Sequence, residues 1–414
     1  MKRVVVTGIG AITPVGIGKD QLWESMHGLG SGIRKVTRFD ASKYHSQVAA
    51  EVHGFEPGRW IPAKKLKRMD RYSRFSVTAS AMAVVDAGLD LDLEDRTRIG
   101  CFLGSALGGV SFAEIEYEKY YGGSIRSIDP SLALTVFAGA GSCNTAIHLG
   151  IMGPVSANSD SCASGPIAIA RSVESIRRGE TDVMITGGVE APLTTLAFGA
   201  FDLIRAMSSH YNDTPERACR PFDEGRDGFV MGEGAAMLVL ESEEHARNRG
   251  ATCLAEVAGW AITNDAHHMT APRPDGSQAA RAISLSIESA GCTPTEIDVI
   301  SAHGSGTPLN DPTETIAIKR AFGDHAYSIP IIGTKSRHGH SLGATGAIEA
   351  AILTMGLYHQ WMPAGFNIEN PDPSCDLNYA SSGPVEGPFR AGLSNSFGFG
   401  GINVCLVIKA MDRA

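Results

Sequence analysis

The chain has 414 residues, of which 43% are hydrophobic and 20% charged, and its net charge is -9. This is the composition of a soluble globular protein, long enough for roughly two or three domains. The acidic balance excludes a nucleic-acid coat, which needs a dominant positive field.

No run of about 18 apolar residues occurs, so no membrane-spanning helix is expected. Eight cysteines are scattered without a C-x-x-C pair. That argues against structural zinc and disulfide frameworks, and for a reducing, cytoplasmic compartment.

Short β-branched runs alternate with helical patterns, which predicts an α/β fold. The first strand is V-V-V at 4–6. Gly8 and Gly10 behind it invite a dinucleotide-binding reading, but Thr13 stands where a third glycine is required. The same opening mimics a signal peptide, yet Thr7, Gly8, Thr13 and Pro14 break its apolar run and no A-x-A site follows. Residues 64–71, K-K-L-K-R-M-D-R, form a basic cluster that on its own reads as a solvated helix face.

A helical pattern from Ser73 stops at Gly88, a residue suited to a C-cap. Further strands are predicted at 98–103, 183–186, 236–240, 298–302 and 403–408. The charge-rich stretch 241–250 reads as a helix linking two halves, 1–250 and 251–414.

Three loops could carry chemistry. In N-S-D-S-C-A-S-G, Cys162 lies between an extended run and a helix patterned by Ile169, Ala170, Val173 and Ile176. It is either a small packing residue or a nucleophile. In the second reading the helix N-terminus favours thiolate. In S-A-H-G-S-G-T-P-L-N-D-P-T-E, His303 ends a buried strand, where α/β folds open a crevice. Asp311, Pro312 and Glu314 there read as an N-cap aspartate, first-turn proline and third-position glutamate.

In G-T-K-S-R-H-G-H-S-L-G-A-T-G, Lys335, His338 and His340 precede an apolar helix. A buried lysine needs a carboxylate, for which Glu314 is a candidate. Zinc at His338 and His340 competes, but no H-E-x-x-H or cysteine partner accompanies them. Finally, S-N-S-F-G-F-G-G-I-N reads as a glycine-rich loop carrying Phe397 and Phe399, able to gate a pocket or to donate a backbone N–H.

Taken in this order, the motifs resemble the β-ketoacyl-acyl-carrier-protein synthases of the elongating type II class. The likeness runs from V-V-V-T-G-I-G-A-I-T-P-V-G to S-N-S-F-G-F-G-G-I-N, essentially the whole chain. It also includes R-P-F-D-E-G-R-D-G-F-V-M-G-E-G and N-P-D-P-S-C-D-L-N-Y.

The resemblance implies a thiolase-like fold, two similar βα halves in a five-layered αβαβα stack. It implies decarboxylative Claisen condensation, with Cys162 accepting an acyl chain and His303 and His340 stabilising the enolate of a malonyl thioester. Lys335 with Glu314 and Asp311 would support the histidines. The amides of Cys162 and Phe399, with Gly398 and Gly400 around the latter, would form the second oxyanion hole and the gate. Ser305 and Thr307 would meet phosphopantetheine. Lys64, Lys65, Lys67 and Arg68 would dock an acidic acyl carrier protein.

No resident cofactor or metal is implied, and the partner subunit is an identical copy or a chain-length factor. Arg337-His338 and Ser305 depart from the fatty-acid pattern, and H-G-S-G-T with Asn310-Asp311, and G-H-S-L-G-A-T-G, look closer to type II polyketide catalytic subunits. A thiolase would need a second cysteine where Phe397 and Phe399 stand. A starter-type synthase would replace one histidine by asparagine, and a chain-length factor would lack Cys162. A cysteine hydrolase built on Cys162, His303 and Asp311 would leave Lys335 and His340 unexplained.

Overall fold

The computed structural model describes residues 2–28 and 30–412. Its main strands in the first part of the chain are β1 (Val4–Thr13), β2 (Ile99–Gly104), β3 (Val155–Asn158), β4 (Val183–Glu190) and β5 (Gly234–Ser242). Those of the second part are β6 (Ala255–Asn264), β7 (Val299–Ser301), β8 (Ile331–Ile332), β9 (Ala391–Gly398) and β10 (Ile402–Ala410). The order is β1-β5-β4-β2-β3 in one group and β6-β10-β9-β7-β8 in the other.

The two groups share one pattern. The first two pairings in each are antiparallel and the last two parallel. Both belong to one sheet, but β1 meets β6 through only two residue pairs, Val5 with Glu256 and Val6 with Ala255.

The helices that cover these strands are α1 (Arg71–Asp86), α2 (Ala140–Leu149), α3 (Ser164–Arg177), α4 (Glu243–Asn248), α5 (Ser277–Ser289), α6 (Asn310–Phe322) and α7 (Leu342–His359). α1 packs on the first strand group with α2 beside it, and α5 packs on the second with α6 beside it. α3 and α7 lie between the groups, so the stack runs helix, sheet, helix, sheet, helix. α7 is buried from Leu342 to Leu357. Its sequence is apolar all round because both faces meet protein.

Buried strands covered on both faces read as continuous apolar runs rather than alternating ones. That explains β1, which is buried along its whole length and ten residues long where the sequence suggested three. Gly8 and Gly10 lie inside it. A Cβ there would fall 2.3 Å from the Ala83 carbonyl oxygen and 1.9 Å from that of Ala79. These glycines let α1 approach the strand and cradle no phosphate.

α1 starts two residues before the predicted segment, capped by the Asp70 carboxylate, which accepts from the Ser73 amide at 3.0 Å. Ser242 caps α4, the charge-rich link from β5 to β6. Among the described residues, no helix is long and apolar enough to cross a membrane.

Candidate active site

Cys162 occupies a tight turn, Ser161–Ala163, between β3 and α3. Ser161 takes a left-handed conformation, φ 54°, which turns the chain sharply before the cysteine. The small polar neighbours hold that turn. Ser164 Oγ accepts from the Asp160 amide at 2.8 Å and donates to the Ser161 carbonyl at 2.7 Å. Asn158 Nδ2 donates to Asp160 at 2.8 Å.

Gly398 lies against this turn, where a Cβ would fall 3.3 Å from the Cys162 nitrogen. Burial pushes the Cys162 thiol up to about 11, against the opposing pull of the Ser161 hydroxyl, Lys335 and the Phe399 amide. Burial thus works against the thiolate that the helix terminus favours, at a cysteine that is 7% exposed.

His303 follows β7 and His340 precedes α7. Glu314 fixes the first loop by accepting the His303 and Gly304 amides at 2.8 and 2.9 Å and Asn395 Nδ2 at 3.1 Å. The second is held as a strand would be. The His340 amide donates to Val230 O at 2.7 Å, and its carbonyl accepts from Gly232 at 2.9 Å.

The two rings face each other at 5.5 Å between centroids and 81° between planes. Burial first, then the Lys335 charge, holds both imidazoles well below the usual histidine range. Each is therefore neutral, with one N–H to donate. Their Nδ1 atoms are buried without a hydrogen-bond partner among the described residues.

The sequence expectation for Lys335 needs correction. Its ammonium donates to the His303 carbonyl and, at 2.5 Å, to Glu349 Oε1, rather than to Glu314. Glu314 is occupied by backbone amides. Both members of the Lys335–Glu349 pair are almost wholly buried, and burial lifts the Glu349 carboxyl to about 7. Glu349 was legible in principle, since a single glutamate in A-I-E-A-A-I-L demands a partner.

Asp311 is likewise not an N-cap. α6 begins at Asn310, and the fully buried Asp311 carboxylate accepts from the Phe222 amide at 2.9 Å and that of Gly306 at 3.2 Å. Burial raises its pKa.

Cys162, His303 and His340 share the wall of one cavity of about 320 Å³ with Ser305, Thr307 and Phe399. The Ser305 and Thr307 hydroxyls lie 3.0 Å apart. The stretch expected as a loop is a hairpin. Phe397 and Gly398 still belong to β9, paired with Asn403 and Ile402, and only Phe399 to Gly401 turn. Gly398 and Phe399 line the cavity, whereas Gly400 supports the turn behind it. The Phe399 ring stacks on Phe201 at 6.2 Å.

Lys64, Lys65, Lys67 and Arg68 are not part of this cavity. Lys64, Lys67 and Arg68 are exposed and Lys65 half-buried, on and just after a short helix, Ala63–Leu66. Lys67 and Arg68 edge a separate groove of about 640 Å³.

Arg337 is buried without a carboxylate partner among the described residues. It donates to the Gly28 carbonyl and lies over the Phe366 ring at 5.2 Å. His338 Nε2 meets Thr334 Oγ1 at 3.0 Å. No three histidine, cysteine or acidic side chains gather as a metal set among the described residues.

Sequence reasoning also missed Glu190. This buried carboxylate at the end of β4 accepts from Ser105 Oγ and the amides of Ala106, Leu107 and Gly343.

Residues 1–246 match the family model "Beta-ketoacyl synthase, N-terminal domain", and 254–369 match "Beta-ketoacyl synthase, C-terminal domain". The 3-oxoacyl-[acyl-carrier-protein] synthase 2 of Synechocystis is 43% identical, over 99% of this chain and 98% of that protein. Its counterpart in Staphylococcus aureus is 39% identical over 99% of both.

Among solved structures, the ishigamide ketosynthase/chain length factor superposes with a TM-score of 0.93 at 36% identity, covering 99% of both chains. A type II PKS ketosynthase in complex with its acyl-carrier protein superposes with a TM-score of 0.92 at 34% identity, covering 99% of this chain and all of that one. With matches over most of its length and this layered architecture, the chain belongs to the β-ketoacyl synthase family of acyltransferases, built on the thiolase fold.

Proposed function

We propose that the protein extends an acyl chain by two carbons through decarboxylative Claisen condensation on Cys162. The observation that carries this reading is the convergence of one thiol and two neutral, facing imidazoles on a single cavity. A thioester carried on phosphopantetheine is attacked by the Cys162 sulfur. The acyl–sulfur bond re-forms on the enzyme, and the thiol proton ends on the departing pantetheine sulfur.

A malonyl thioester then loses carbon dioxide, and the electron pair moves into an enolate whose oxygen faces His303 and His340. Two N–H donors suit that oxyanion, each worth about 3 kcal/mol. A neutral ring keeps one N–H, which is the donor each histidine would offer. The enolate carbon attacks the acyl-Cys162 carbonyl, whose oxygen meets the Cys162 and Phe399 amides. The carbon–sulfur bond breaks, and the Cys162 thiolate leaves and regains a proton from solvent.

Lys335 with Glu349 holds the His303 loop through the His303 carbonyl, while Glu314 and Asp311 brace the same loop. Ser305 and Thr307 offer hydroxyls to the pantetheine arm, and Phe399 gates acyl entry with Gly398 and Gly400 permitting the turn. No further cofactor enters. The test is intact mass after incubation with an acylated carrier protein. Acyl mass on the wild type supports the reading, and its absence with every carrier tried sinks it.

Residues 1–250 and 251–414 are taken as the two functional halves, a division supported by the repeated strand order. Lys64, Lys65, Lys67 and Arg68 dock the acyl carrier protein. Reversing Lys67 and Arg68 to glutamate is expected to raise the carrier's KM roughly tenfold at low salt and to leave kcat nearly unchanged. Steady-state kinetics at two ionic strengths checks this, and an unaltered KM removes the docking role.

The cytoplasm is the proposed compartment, consistent with eight unpaired thiols. β3 is an edge strand that begins at exposed Val155 and is preceded by exposed Ile147 and Met152. Unpaired edges of this kind invite a partner, either a second copy or a chain-length-factor subunit. Sedimentation of the chain alone separates them, since a dimer favours the first and a monomer the second.

A second reading, a polyketide catalytic subunit, is favoured by Asn310. Its amide nitrogen lies 3.1 Å from Asp311 Oδ1 and 3.5 Å from Glu314 Oε2, beneath the His303 loop. The ishigamide ketosynthase/chain length factor and the type II PKS ketosynthase are the structures that support it.

A further inference from the structure

α3 and α7 hold equivalent positions in the two halves, each lying between the third and fourth strands of its group. They meet at glycine. A Cβ on Gly165 would fall 2.9 Å from the Gly343 carbonyl oxygen, and one on Gly188 of β4 would fall 2.5 Å from the same atom. A Cβ on Gly343 would fall 2.4 Å from the Ala106 nitrogen. Gly165 lies three residues after Cys162, and Gly343 lies three residues after His340. The approach of these two helices therefore sets the separation of nucleophile and histidine.

One side chain bridges this junction. Glu190 Oε2 accepts from the Ala106 amide at 2.6 Å and from the Gly343 amide at 3.1 Å. Its Oε1 accepts from Ser105 Oγ at 3.1 Å and the Leu107 amide at 3.2 Å. Ala106 and Leu107 pack against the apolar cluster that contains Cys162 and Leu342. Ser159, in the loop before Cys162, donates to the Ala106 carbonyl at 2.8 Å. The carboxylate thus ties the Cys162 side of the cavity to the first turn after His340. It is wholly buried, and no cation pairs with it among the described salt bridges. Three of its partners are backbone amides and the fourth is a hydroxyl; burial lifts the carboxyl to about 7 against the pull of these donors.

We propose that Glu190 is a positioning residue for condensation: it staples the two halves together at the active centre and holds Cys162 and His340 at working distance. The inference rests on the ketosynthase reading. It deepens that reading by separating two half-reactions. Acylation uses the Cys162 turn, the Phe399 amide and the pantetheine hydroxyls but not His340, whereas attack of the enolate on acyl-Cys162 needs Cys162 and His340 in register. Misplacement by about 1 Å can cost roughly 100-fold in such a step.

Glu190→Gln keeps the volume but turns an amide NH2 toward a backbone N–H. The variant is expected to acylate from an acyl carrier protein within about fivefold of the wild-type rate. Condensation of the acyl-enzyme with malonyl-carrier protein is expected to fall roughly 100-fold. Ser105→Ala removes one donor and leaves the backbone contacts. It should show the same split at about tenfold or less, and it stands in if the glutamine variant does not fold.

Equal loss in both half-reactions would reduce Glu190 to a structural role and overturn the proposal, as would wild-type condensation in both variants. Failure of the wild type to acylate at all would instead refute the ketosynthase reading.

Discussion

Cys162→Ala is expected to abolish acyl transfer, leaving the protein at its unmodified mass after incubation with acyl-carrier protein. Condensation should fall by roughly 10⁴-fold or more, because the covalent step has no substitute nucleophile. The same variant should still release carbon dioxide from malonyl-carrier protein. His303 and His340 come from loops after β7 and before α7, anchored by Glu314, Val230 and Gly232 rather than by the cysteine turn. Alanine fills most of the space of a small thiol, so the fold should survive. Acylation of the alanine variant would place the nucleophile elsewhere.

His303→Ala should give the opposite pattern. Acyl-Cys162 should still form, while decarboxylation should drop roughly 10²- to 10³-fold for the loss of one oxyanion donor. Carbon dioxide release, followed alongside intact mass, reads both halves of this prediction, and unimpaired release would refute the role. The pH dependence in wild type follows from the depressed histidine pKa values. A ring whose folded pKa lies well below the free value stays neutral as pH falls through about 6.5. Decarboxylation should therefore show no loss at the ordinary histidine pKa, and a titration there would contradict the neutral-donor geometry.

Much of the fold was legible because both sheet groups are covered on two faces. Runs such as A-M-L-V-L and N-V-C-L-V-I are apolar for that reason, and their bounds shift by only a few residues. β1 was underread because Gly8 and Gly10 look like turn residues locally. Only the crossing of α1 reveals why a strand should carry them.

The candidate site was legible as motifs and less so as pairings. Cys162, His303 and His340 each stand at a strand or helix end, which sequence pattern can detect. The sequence offers Glu314 as a candidate partner for Lys335 because a buried lysine needs a carboxylate. Its actual partner, Glu349, lies inside an apolar helix, where the register of contact depends on packing. The thiol's upward shift escapes the sequence for a related reason. A helix terminus is visible in sequence, but desolvation is a property of everything that closes over it. Glu190 had no local signature at all, since its four donors come from segments more than 80 residues away.

The central position of α7 has a consequence for how the chain is made. Strands β4 and β5 are complete by Ser242 with α3 on part of their inner face, yet α7, which covers the rest, begins only at Leu342. During synthesis the first half must wait for about a hundred further residues with apolar surface bare. Exposed sheet of that kind is an aggregation hazard. The inner core of the first half is completed only by a helix from the second, so the walls that carry the nucleophile and His340 are expected to close together once α7 is made.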